Sequence, residues 1–149
     1  MTIQSTRYPF CFADPAAALP SSDRDLPFLP FNDDLNRFTL KVINPKADKY
    51  TVTWGKESKT FTADQLKTGV NLAAEFLDNP FTANFAAVDA AVRKQQNLQT
   101  AAYKSVMDGL RNVFDGDESQ TADLAKRLQD KDNALGEAAT SLIKPVTHT

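Results

Sequence analysis

The chain has 149 residues, 42% of them hydrophobic and 24% charged, with a formal net charge of −2. That balance suits one globular domain with a real core and argues against wholesale disorder. Interspersed charges exclude the basic field that nucleic acid requires, no apolar run approaches the ~20 residues of a membrane span, and a lone cysteine, Cys11, excludes a disulfide scaffold.

Residues 1–36 carry five of the eight prolines (Pro9, Pro15, Pro20, Pro27, Pro30) and no glycine. The start, Met1 to Phe12, has one basic residue, Arg7, and no apolar segment of the kind a signal peptide uses, so any export signal is expected outside this chain. Proline fixes φ, removes a donor and pushes the residue before it to extended geometry. The segment Leu26 to Phe31 therefore reads as an extended strap whose Leu26, Phe28, Leu29 and Phe31 side chains need an apolar surface to lie on. That surface is either this chain's own sheet or another domain.

Residues 37–78 read as strands with one short helix. Phe38, Leu40 and Val42 alternate with Thr39, Lys41 and Ile43, the period of a half-buried strand. A turn at Asn44 to Asp48 leads to a second alternation, Tyr50, Val52 and Trp54, expected to pair antiparallel with the first. Gly55 to Ser58 predicts a turn and Lys59 to Phe61 a short third strand. Thr62 and Gln65 have the spacing of a capping box, and Gly69 is placed to end the helix that follows. Val70 to Phe76 reads as a fourth strand or an irregular stretch.

Residues 79–149 are helical in period. Asn79 stands as cap with Pro80 at the first position, and Phe81, Phe85, Val88, Val92, Ala102, Val106, Leu110 and Val113 recur at three- and four-residue steps. Gly109 is the weak point of that helix, and Asp115 to Ser119 breaks it. A second helix carries Leu124, Leu128, Leu135 and Leu142 on one stripe, capped by Thr121 or Ser119 and ended by Pro145, with a frayed tail beyond. The expected fold is α+β, one structural domain: a Pro/Phe-rich N-terminal strap, a small antiparallel β-sheet and a C-terminal helical hairpin.

Chemistry is thinly represented. The single histidine, His148, falls in the expected frayed tail, where a general base lacks fixed geometry, so it reads as a solvated tail residue. Cys11 between Phe10 and Phe12 reads as a small hydrophobe, since reactive thiols want positive charge nearby. One cysteine and one histidine do not make a zinc site, and the run from Asp115 lacks the glycine and the glutamate of a calcium loop, with Gln120 and Lys126 at those positions. No glycine-rich phosphate loop exists, and no cofactor is expected. Tyr50 and Trp54 share one strand face, a candidate surface for sugar rings, although an aromatic pair on a strand is more often core. Asn36 and Arg37, after Asp33 and Asp34, are candidates for a polar ligand, with a local turn and ion pair as the blander reading.

Three phrases then follow one another in order: Leu26–Leu40 (LPFLPFNDDLNRFTL), Val52–Gly55 (VTWG) and Gly69–Phe81 (GVNLAAEFLDNPF). Together they resemble the region downstream of the catalytic domain in a group of bacterial SGNH (GDSL-type) hydrolases, over roughly Pro9 to Lys104. In that family the nucleophilic serine, the oxyanion-hole glycine and asparagine, and the Asp-x-x-His pair lie upstream of such a region. None has a matching position here; Glu118 follows Gly116 and Asp117 where serine is required, and Pro145 stands three residues before His148. The resemblance implies a non-catalytic C-terminal accessory region of a periplasmic or secreted ester or acyl hydrolase. Its partner would be the catalytic domain, met through Leu26, Phe28, Leu29 and Phe31, and an uncovered strap would promote self-association. Two other classes stand beside this reading: a ligand- or glycan-binding module using the Trp54/Tyr50 face, and an interaction protein working through its helical hairpin.

Overall fold

The short strands described in this chain pair in twos. The computed structural model describes residues 3–12 and 29–148. Along them run β1 (Ile3–Ser5), α1 (Phe31–Asp34), β2 (Thr39–Leu40), β3 (Lys49–Trp54), β4 (Glu57–Thr62), α2 (Ala63–Thr68), β5 (Val70–Asn71), α3 (Leu72–Glu75), α4 (Thr82–Ala101), α5 (Asp108–Val113), α6 (Ala122–Ser141) and β6 (Val146–His148). The fold is α+β. The chain divides into two compact units, Met1–Ala86 with Pro145–Thr149, and Ala87–Lys144.

In the first unit the alternation of Tyr50, Val52 and Trp54 does form a strand, but its partner is the next segment rather than the previous one. β3 pairs antiparallel with β4, Lys49 opposite Thr62 and Trp54 opposite Glu57. The two-residue turn Gly55-Lys56 makes this possible, because Gly55 adopts φ +70° at the first central position. The expected third strand at Lys59 to Phe61 is thus the core of a longer one. β2 pairs instead with β5, Thr39 opposite Asn71 and Leu40 opposite Val70, so the stretch after Gly69 is a brief strand followed by α3.

The local signals near Gly69 are realised in full. Thr62 Oγ1 accepts from Gln65 N at 3.2 Å while Gln65 Oε1 accepts from Thr62 N at 2.8 Å, closing the capping box of α2. Gly69 ends α2 with φ +116°, and a Cβ there would sit 2.9 Å from Thr39 Cγ2. The strap is not extended throughout. Leu26 and Phe28 lie outside the described residues, but Pro30 caps the single turn of α1, with Asp33 N and Asp34 N donating to its carbonyl at 3.1 and 2.9 Å. Proline's fixed φ, here −75°, suits a helix start, and the two aspartates favour the positive end of the turn.

The core of this unit is aromatic. Trp54, Phe61, Leu66, Val70, Leu72, Phe76 and Phe81 are buried with Cys11 and Val146, and Phe38, Tyr50 and Phe85 pack against them. Val146 belongs to β6, which pairs with β1: Ile3 opposite His148, Ser5 opposite Val146. The expected frayed tail is therefore a strand. Its short V-T-H alternation places Val146 and His148 inward and Thr147 outward.

The second unit is an antiparallel helical hairpin. α4 passes through a π-helical turn, Ala102–Met107, into α5. Gly109 sits inside α5 with open space where a side chain would point. Asp115 (φ +51°) and Gly116 (φ +82°) reverse the chain before α6. The register is set by polar side chains: Gln99 Nε2 donates to Asp132 Oδ1 at 3.0 Å, Gln95 Nε2 to the Asp132 carbonyl at 3.3 Å, and Tyr103 OH to Gln129 Oε1 at 3.5 Å.

Candidate functional site

Three asparagines brace the first unit, of which only Asn79 was expected in its role, as the cap before Pro80. Asn71 lies at the end of β5, where its Oδ1 accepts from Phe38 N at 2.9 Å and Ala73 N at 3.3 Å. Its Nδ2 donates to the carbonyls of Asn32 and Asn36, both at 2.9 Å. Asn79 turns the chain into α4: Oδ1 accepts from Phe81 N at 3.0 Å and Nδ2 donates to the Phe76 carbonyl at 3.1 Å. Asn36 is 3% exposed and grips the backbone of Phe10 from both sides, accepting from its N at 2.8 Å and donating to its carbonyl at 3.2 Å. Its Nδ2 also donates to Asn32 Oδ1 at 3.0 Å. Every polar atom of the Asn36 side chain is thus engaged with the fold, which corrects its assignment as a ligand-binding group. Arg37, its neighbour, is exposed.

Tyr50 and Trp54 are likewise committed to structure. The Tyr50 hydroxyl accepts from Lys46 N at 2.6 Å and Ala47 N at 2.8 Å, fixing the turn before β3. Trp54 is 2% exposed, stacked on Phe38 at 5.2 Å between ring centroids and edge-on to Phe76 at 6.0 Å. It offers no free face on which a sugar ring stacks.

His148 is the largest departure from the sequence reading. It is 7% exposed, and its ring lies 5.5 Å from Phe38, 5.9 Å from Trp54 and 5.2 Å from Phe81. Trp54 Nε1 donates to its Nδ1 at 3.1 Å. Indole nitrogen only donates, so Nδ1 is an acceptor and the neutral ring carries its proton on Nε2. That Nε2 is buried with no hydrogen-bond partner among the described residues. Burial holds the imidazole below its ordinary value of 6.5. In a triad the geometry runs the other way, with Nδ1–H donating to a carboxylate. Three residues at a chain end, pairing 143 positions upstream, leave no periodic trace long enough to read.

Cys11 packs in the same unit. Its Sγ lies 3.8 Å from Asn79 Oδ1 and 3.5 Å from the Pro9 carbonyl, and burial pushes the thiol up, away from the thiolate a nucleophile needs. Among the described residues no cluster of three His, Cys, Asp or Glu side chains is placed to hold a metal. In the second unit the Asp117 carboxylate accepts from Ser119 N at 3.0 Å and Ser119 Oγ at 2.6 Å, bonds that hold it below the usual carboxylate range and make an ordinary loop of this segment. No described helix is long and apolar enough to cross a membrane.

The surface feature that gathers predicted residues is a groove of about 210 Å³ in the first unit. Arg7, Tyr8, Phe10, Leu35, Arg37 and Phe85 line it, over a floor that includes Asn36. Of the expected interdomain residues, Leu29 is exposed and Phe31 is half-buried, its ring edge-on to Phe10 at 5.5 Å.

No protein-family model matches the chain, and no curated protein matches it in sequence. Among solved structures, the chain is similar to a gut microbial diltiazem-metabolizing enzyme, with a TM-score of 0.56 and 17% sequence identity. The match covers 95% of this chain and 39% of that one, so the chain spans well under half the length of its structural neighbour. At this identity the likeness is one of fold.

Proposed function

We propose that this chain is a non-catalytic accessory region of an SGNH/GDSL-type ester or acyl hydrolase, lying C-terminal to the catalytic domain. The observation that carries the reading is the way the resembling phrases lock together. Asn71 of the third phrase binds the carbonyls of Asn32 and Asn36 and the N–H of Phe38, all in the first. Trp54 of the second phrase stacks on Phe38 of the first and meets Phe76 of the third. Residues that look unrelated along the chain thus have a common purpose, a rigid unit built from backbone-gripping amides and aromatic packing.

The chemistry of the described residues fits a supporting role. His148 faces an indole instead of a carboxylate, and Cys11 is held protonated by burial. The structural neighbour is an enzyme whose chain is more than twice as long, which accords with a segment that works as part of a larger protein. A glycan-binding module finds less support, because Trp54 is enclosed and the Tyr50 hydroxyl is occupied by two backbone donors.

The experiment is to express the complete reading frame that contains this chain, beside the 149-residue chain alone, and to assay both on p-nitrophenyl acetate and butyrate. The full product is expected to hydrolyse them and the chain alone to be inert. An in-frame upstream region without a Gly-Asp-Ser nucleophile block sinks the reading, as does turnover by the chain alone that is lost on His148→Gln.

A further inference from the structure

Phe10 is 43% exposed although three phenylalanine rings surround it: Phe12 at 4.8 Å, Phe31 at 5.5 Å and Phe85 at 5.0 Å. Its backbone is pinned by the buried amide of Asn36, at both N and O. An exposed aromatic side chain held this firmly has little freedom left to lose on association, which is what distinguishes a binding anchor from a surface accident. Leu35, on the same groove, is 75% exposed.

Two arginines, Arg7 and Arg37, line the same groove as these apolar residues. Some of the chain's cations sit in ion pairs, Lys59 with Glu75, Lys67 with Asp64, Arg93 with Asp89 and Lys126 with Asp130. Among the described residues neither the Arg7 nor the Arg37 side chain has such a partner, although both line the groove. Aromatic residues and arginine are the types enriched at the centres of protein interfaces. The groove's volume of about 210 Å³ is below the roughly 300–1,000 Å³ of small-molecule pockets, a size that suits one or two side chains of a protein segment.

We infer that this groove docks an acidic, apolar-tipped segment of the catalytic domain, with a carboxylate between Arg7 and Arg37 and its apolar neighbour on Phe10 and Leu35. The inference deepens the accessory-region reading and rests on it for the identity of the partner. A carboxylate bound by guanidinium forms charge-assisted hydrogen bonds, about twice as strong as neutral ones, and supplies the orientation that the apolar contact lacks.

The test is an NMR titration of the 149-residue chain with the blocked dipeptide acetyl-Glu-Leu-amide. Its neutral match, acetyl-Gln-Leu-amide, and the small carboxylate hexanoate serve as comparisons. Saturable shifts are expected at the Phe10 amide and at the Arg7 and Arg37 Nε–H signals with the glutamate peptide, roughly tenfold weaker with the glutamine peptide. Arg7→Gln with Arg37→Gln should abolish the difference between peptides, and Leu35→Ser, at an exposed position, should weaken binding while leaving Trp54 fluorescence unchanged. Equal response to both peptides, or none, overturns the inference, and so does hexanoate binding as tightly as the glutamate peptide. An inert groove beside an in-frame hydrolase refutes the docking site alone. A responsive groove in a protein with no hydrolase domain refutes the hydrolase reading and leaves the acidic-segment site in place.

Discussion

Trp54 Nε1 donates a hydrogen bond to His148 Nδ1 at 3.1 Å, inside a box of phenylalanine rings. The bond ties β3 to the last strand and decides which form of the histidine the fold accepts. Protonation would place a donor on Nδ1 facing the indole N–H, and would put a charge among aromatic rings.

The first prediction follows from that geometry. The unfolded chain takes up a proton on His148 near its ordinary value of 6.5, and the folded chain resists doing so because of burial. Below 6.5 the unfolded state therefore binds more protons, and stability falls as pH drops until the folded imidazole titrates too. Urea midpoints measured at pH 7 and pH 5 should differ more for wild type than for His148→Phe, which has no proton to gain. The same pH dependence in both proteins would refute this.

Removing the Trp54 ring opens a large void in the aromatic core. Trp54→Ala should cost about 3–5 kcal/mol, whereas Trp54→Phe keeps most of the packing and loses the bond to His148, adding about 1 kcal/mol to a smaller cavity cost. Denaturant unfolding of both variants checks the order; an unchanged midpoint for Trp54→Ala would mean the ring is not core.

Asn36→Ala leaves the N–H and carbonyl of Phe10 without the partners they now have. A loss of about 1–3 kcal/mol is expected. Asn36→Asp is the informative companion, since it retains the acceptor for Phe10 N and removes both Nδ2 bonds. Its second carboxylate oxygen would face the Phe10 carbonyl and Asn32 Oδ1, acceptor against acceptor in a buried site, so it should melt below Asn36→Ala at neutral pH; a melt above that of Asn36→Ala would refute this.

Two glycines should respond in opposite directions. At Gly69 the backbone φ is +116° and a Cβ would meet Thr39 Cγ2 at 2.9 Å, so Gly69→Ala should destabilise by about 1–3 kcal/mol. Thr39→Ser, which removes that methyl, should recover the steric share and not the backbone share. At Gly109 the conformation is helical and nothing lies within 4 Å, so Gly109→Ala should stabilise the helix by about 0.5–1 kcal/mol. Paired urea titrations of the three variants measure both signs.

What the sequence revealed and what it hid divide along the range of the interactions. The Thr62–Gln65 capping box, the end of α2 at Gly69 and the reversal at Asp115-Gly116 depend on neighbours within a few residues, and each was readable. Strand alternation located β3 but not its partner, because β4 (Glu57–Thr62) is polar on one face and buries only Phe61 on the other. The expected pairing of residues 38–43 with 50–54 gave way to a tighter Gly55-Lys56 turn, which closes β3 on β4 with less chain to order. At the candidate site, Arg37 and Phe31 were named for reasons of composition, while the clamp of Asn36 on Phe10 was invisible. It joins residues 26 positions apart, and nothing in an asparagine's immediate surroundings reveals which distant amide it will hold. His148 was misplaced for the same reason, at much greater separation.

The pairing of β1 with β6 also joins segments some 143 positions apart. Synthesis delivers β1 first and β6 last, so the acceptor that Trp54 requires emerges only after residues 87–144 have been made. Closing a flexible loop of that length costs about 4 kcal/mol in chain entropy on simple length scaling. If the helical hairpin forms first, its antiparallel legs bring the ends of the intervening segment together and remove most of that cost. The hairpin then shortens the effective loop between β1 and its partner strand.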